Sequence, residues 1–203
     1  MIQDISFLAK DEKKYEDFEF NFLRKKYIEF LKRAKTERQM QLFLETNPII
    51  LPGLFSRHNG PVGKVVISKI KLANEYETDF AFISVDSARA QITLIEIESP
   101  NIKLFRTSDN QFTSPFNKAV QQMRDWTTWF HSNQTYAKDL FRNIYHRGIF
   151  RYQHVSTKVI LIAGRRDQIR RNSQREKRWA GINASVVPNE VIRPSCLWHD
   201  GRP

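Results

Sequence analysis

Apolar residues recur at helical steps near the start of the chain, where Phe18, Phe22, Leu23, Tyr27, Phe30 and Leu31 fall on one side. This predicts an amphipathic helical extension over residues 1–36. A second helix follows from Glu37 toward Leu51, ending near Asn47 and Pro48. After a loop from Gly53 to Gly63 the period changes from helical to two. Val65–Leu72, Glu77–Val85 and Gln91–Ile97 alternate well enough to be strands, the last two joined by a turn of Asp86, Ser87, Ala88 and Arg89. The helical period then returns. Phe116, Ala119, Val120, Met123, Trp126 and Phe130 form one stripe, with Ser114 as the expected N-cap and Pro115 at the first helical position. Asn133–Phe150 reads as helix and Val155–Gly164 as a buried strand ending at a glycine. Asp167–Ala180 is predicted to be a basic helix and Ile182–Val187 a last short strand. Such a buried apolar strand among helices suits a mixed α/β sheet covered on both faces. Residues 37–190 would form this domain and 191–203 an irregular tail.

The strand ending in Ile95, Glu96, Ile97 and Glu98 carries the most chemistry. Residues two apart share a face, so Glu96 and Glu98 stand side by side, roughly 6–7 Å apart at the backbone. Ile95 and Ile97 point into an apolar layer. Like charges on a central strand repel and resist desolvation, and a divalent cation with oxygen ligands is the common physical solution. Asp79, near the start of the preceding strand with Phe80 and Phe82 facing opposite to it, lies close enough across an antiparallel pair to chelate with the glutamates.

The chain holds 33 Lys and Arg against 22 Asp and Glu, a formal net charge of +11. Much of the excess is late and includes Arg165, Arg166, Arg170, Arg171, Arg175, Lys177 and Arg178. A basic face around an acidic cluster suits a polyanionic substrate held by phosphate contacts, although it also describes a solvated charged surface. A single cysteine, Cys196, excludes an intrachain disulfide and a cysteine-based zinc site, and the five histidines show no paired ligand spacing. No apolar run is long enough for a bilayer and no secretory signal is visible, so the expected setting is cytoplasmic, without a membrane partner.

Four segments together resemble the Shedu anti-phage defence nuclease family, within the PD-(D/E)xK superfamily. They are Phe43 to Pro48, Thr78 to Phe80, Leu94 to Pro100 and Ala119 to Trp126, in order and at similar spacing. The resemblance implies a restriction-endonuclease-like mixed sheet flanked by helices. It implies an Mg²⁺-dependent endonuclease, with Mn²⁺ able to substitute, that cuts or nicks DNA and assembles as a homo-oligomer. Asp79, Glu96 and Glu98 would be both metal ligands and catalytic groups. Gln121, otherwise an ordinary surface glutamine, would orient water or phosphate. Glu45 would border the metal unless it only belongs to the end of its helix. The general pattern has Lys where this chain has Glu98. That departure leaves two roles open for Glu98, an extra ligand or the mark of a reduced activity, and makes Lys118 a candidate for the missing cation. The alternative to a nuclease is a nuclease-like module that binds DNA beside a partner without cutting.

Overall fold

The computed structural model describes residues 2–4, 12–51, 65–73, 75–85, 89–145, 154–170, 172–185 and 190–195. Its centre is a six-stranded sheet whose strands lie side by side in chain order. They are β1 (Ile2–Asp4), β2 (Val65–Leu72), β3 (Tyr76–Val85), β4 (Arg89–Ile97), β5 (His154–Ile162) and β6 (Glu190–Arg193). The first four pair antiparallel, whereas β4–β5 and β5–β6 are parallel. Parallel neighbours need crossovers, and helices supply them. Between β4 and β5 run α3 (Ser114–Ser132) and α4 (Gln134–Tyr145); between β5 and β6 run α5 (Asp167–Arg170) and α6 (Ser173–Ser185). On the other face lie α1 (Glu12–Arg33) and α2 (Glu37–Thr46). The mixed α/β sheet between helices is therefore the fold expected.

The alternation of each strand divides the apolar side chains between two cores. Ala81, Ile83, Ile92, Leu94, Val159 and Leu161 pack against Phe116, Met123 and Trp126 of α3. Phe80, Phe82, Ile95, Ile97, Ile160 and Ile162 face Tyr27 and Leu31 of α1 and Met40 and Leu44 of α2. β1 and α1 join the same body: β1 extends the sheet, and the buried Tyr27 hydroxyl donates to the Ser195 carbonyl at 2.9 Å.

Helix ends follow the local chemistry. Thr36 and Gln39 close a capping box on α2. The cap of α3 is Thr113, one residue before the expected Ser114; its hydroxyl accepts from the Phe116 N–H and donates to the Lys103 carbonyl. The expected basic helix over 167–180 is two helices. Asn172 interrupts it, and its side chain accepts from the Gln174 N–H at 2.8 Å to start α6. The strand expected at 182–187 is helical as far as Ser185, because Trp179 and Ile182, three residues apart, pack on the α3 core. The closing strand comes later, where the β-branched Val191 and Ile192 stand before Pro194. Residues 191–193, expected in an irregular tail, hence pair in parallel with β5. The loop read at 53–63 and residues 196–203 lie outside the described residues.

Gly164 just beyond β5 fixes the chain's exit from the sheet. It has φ 64°, and a Cβ placed there would sit 2.6 Å from Leu104 Cγ. Only glycine allows both the left-handed turn and the close approach of Leu104.

Candidate functional site: a carboxylate pair at the end of β4

β3 and β4 pair from Val85↔Ala90 as far as Phe80↔Ile95, and there the ladder ends. Beyond it the Asp79 side chain takes the place of a backbone carbonyl: Oδ2 accepts from the Ile97 N–H at 2.8 Å. Asp79 is buried, and its other oxygen pairs with the Lys69 ammonium of β2. Glu96, one residue before Ile97, is in hydrogen-bonding contact with Asp79. From the opposite helical layer, Gln122 Nε2 donates to Glu96 Oε1 at 2.7 Å. The sheet end thus holds two carboxyl groups, one ammonium and one amide.

Burial and then the neighbouring Asp79 charge push the Glu96 carboxyl up to about 9, with Glu98 and Glu37 adding to the effect. Glu96 therefore carries a proton at neutral pH. Burial also raises the Glu98 carboxyl, helped by Glu37 and Asp79. Glu37 is raised by burial and by Asp79. Burial alone would lower the Lys69 ammonium, but its bond to Asp79 and the charges of Glu77 and Glu96 raise it overall. This is a cluster with more negative charge than the nearby cation can neutralise.

The expected residues are not all brought together. Asp79 and Glu96 meet. Glu98 lies just past the last paired residue of β4, with its N–H bonded to the Ile162 carbonyl at 2.8 Å, and acts on the pair as a half-buried charge. Among the described residues no three His, Cys, Asp or Glu side chains are grouped to hold a metal ion, so the expected trio is a pair with flanking charges. Gln121 points to the outer side of α3, where its amide donates to Asp125 at 2.8 Å. The glutamine that reaches the carboxylates is Gln122. The apolar stripe already distinguished them: at about 100° per residue, Gln121 falls roughly opposite the stripe and Gln122 on its flank. Lys118 is exposed on the same helix. Glu45 is bonded to Gln41, and the glutamate of α2 that acts on the pair is Glu37, two turns earlier and roughly 12 Å away along the axis. Lys69 was missed because a lysine in an alternating strand reads as a solvent-facing position.

The late basic residues divide in two. Arg165 donates to the Ala34 carbonyl and to Asn101, Arg175 to Asn110 and the Gln168 carbonyl, and Arg178 to the Asp109 carbonyl. Arg175 also lies 5.3 Å from the Phe105 ring centroid. These three fasten the loop between β4 and α3 to the helices after β5. Arg166 has a partner within the fold as well. Arg170 and Lys177 are exposed, and Arg171 lies outside the described residues. Part of the basic face expected from the sequence is therefore tied up in contacts within the fold.

The family model for the C-terminal part of the Shedu protein SduA matches residues 34–192. That span contains α2, β2 to β5, β6 up to Ile192 and every carboxylate of the cluster. The chain belongs to the Shedu family. Membership ties it to a family associated with anti-phage defence. No curated protein sequence matches it closely enough to count as a relative. Among the described residues no helix is long and apolar enough to cross a membrane. The match begins at the end of α1, so this Shedu chain's first strand and first helix lie before the matched region.

Proposed function

We propose that this Shedu-family chain is a metal-dependent DNA endonuclease acting in anti-phage defence. The observation that carries the reading is the meeting of the buried Asp79 with the partly buried Glu96 where the β3–β4 ladder ends, each fixed by a hydrogen bond. Two carboxyl groups so placed are short of positive charge, and their oxygens are the donors hard cations prefer. Asp79 and Glu96 would hold Mg²⁺ or Mn²⁺, with Glu98 at the rim. When bound, the ion supplies charge neutralisation for a phosphate and a lowered pKa for water. The chain does the rest. The Ile97 N–H fixes one oxygen of Asp79, and Gln122 fixes one oxygen of Glu96, so both carboxylates are oriented before any ligand arrives. Glu96 must give up its proton for the cation to bind, which couples occupancy to pH.

Plasmid nicking tests this. Asp79→Asn removes the charge while leaving an oxygen for the Ile97 N–H, and Gln121→Ala removes only an outer-face amide. The expected result is Mg²⁺- or Mn²⁺-dependent nicking by the wild type and Gln121→Ala, lost in Asp79→Asn. Nicking that survives in Asp79→Asn would refute the assignment. Absence of nicking in the wild type, with a salt-sensitive gel shift retained, would select the non-cutting DNA-binding module, which Glu98 in the usual lysine position favours.

A further inference from the structure

Lys69 has a backbone that its strand does not require. β2 pairs with β3 at Ser68↔Phe80 and at Ile70↔Thr78, and between these pairs Lys69 has φ 54°. A left-handed conformation is sterically disfavoured for a residue that carries a Cβ. The pairs on either side hold it there, and the alternation is broken: Ile67 and Ile70, three residues apart, reach the same core. Strain held in place by its surroundings is a mark of functional positions. Here it turns the ammonium onto Asp79, which is 6% exposed, while the lysine side chain remains 43% exposed. Lys69 therefore stands between the acid pair and water. It feels the charges of Asp79, Glu77 and Glu96, and it acts in turn on Glu37.

A cation bonded to a metal-binding carboxylate competes with the metal for it. A flexible four-carbon stem open to solvent lets the ammonium leave without moving the strand. We infer that Lys69 is an exchangeable counter-cation, bonded to Asp79 in the resting site and handed to the DNA phosphate when a divalent ion takes Asp79. The inference rests on the nuclease reading for its substrate. It keeps the acid cluster from repelling a polyanion, since a positive group remains at the mouth whichever cation holds Asp79.

The test compares the wild type with Lys69→Met and Lys69→Arg in three measurements. Calorimetric Mn²⁺ binding without DNA is expected to tighten about tenfold in Lys69→Met, because a competing charge has left a carboxylate. Binding of a short duplex in Ca²⁺ is expected to lose about 0.9 from its log–log salt slope in Lys69→Met and to regain it in Lys69→Arg. Single-turnover cleavage by Lys69→Met should fall about 100-fold, the usual cost of one donor to developing phosphate charge. Weakened Mn²⁺ binding with a lowered melting temperature in Lys69→Met would make the lysine a structural prop and overturn the inference. So would a salt slope identical to wild type. If the wild type cuts nothing, the nuclease reading fails alone, and the Mn²⁺ and salt-slope measurements still decide the role of Lys69.

Discussion

Glu96→Gln is expected to stabilise the metal-free protein, and only above acid pH. The amide matches the protonated carboxyl in shape: it can accept from Gln122 and donate to Asp79, as Glu96 does. In the wild type the folded carboxyl titrates at about 9, against 4.5 for its ordinary value. Between those limits the folded chain binds a proton that the unfolded chain has released. Stability from this group is thus complete below pH 4.5 and is lost as pH rises through 9. At pH 7.5 the loss is roughly three units at about 1.4 kcal/mol each, or about 4 kcal/mol. The glutamine variant has no such slope. Urea unfolding in EDTA should therefore give nearly equal stabilities at pH 4.5 and a gap of about 4 kcal/mol in favour of Glu96→Gln at pH 7.5. Glu98 and Glu37 are common to both proteins, and Glu96 is not among the causes of either shift, so the difference between the two curves isolates Glu96. Parallel curves at all pH values would show that Glu96 ionises normally in the fold and would refute the raised carboxyl.

Gly164→Ala should destabilise by about 2–5 kcal/mol, combining a left-handed backbone with a Cβ pressed onto Leu104; a melting temperature within a degree of wild type would contradict this. Arg175→Ala should cost about 1–3 kcal/mol through the lost Asn110 bond and the Phe105 contact. Lys177→Ala and Arg170→Ala should leave stability within about 0.5 kcal/mol and instead lower the salt slope of DNA binding. Thermal melts alongside salt titrations separate the two groups, and a large stability loss in Lys177→Ala would go against the division.

How much of this was legible in the sequence depends on what each residue's neighbours dictate. Asp79 and Glu96 were readable because strand alternation puts them on adjacent strands among residues whose burial is unambiguous. Glu98 was placed beside Glu96 by the same alternation, but β4 ends at Ile97 and its partner beyond is the Ile162 carbonyl of β5. The helix stripe of α3 identified its buried side, while the choice of Gln121 over Gln122 ignored the phase that the stripe itself defines. Lys69 was invisible for a different reason. Its left-handed φ is imposed by pairing on both sides, and nothing in Val65–Leu72 signals it. The arginines after β5 looked alike as charges, and only long-range packing against the 98–113 loop sorts struts from exposed groups.

Glu37 and Gln122 approach the carboxylates from helices rooted in different cores. Glu37 rides on α2, seated by Met40 and Leu44; Gln122 rides on α3, seated by Ala119, Met123 and Trp126. The sheet lies between the two helices. The acid pair at the end of β4 is thus reached from both faces of the sheet, so a substitution that loosens either core is carried to the same two carboxyl groups.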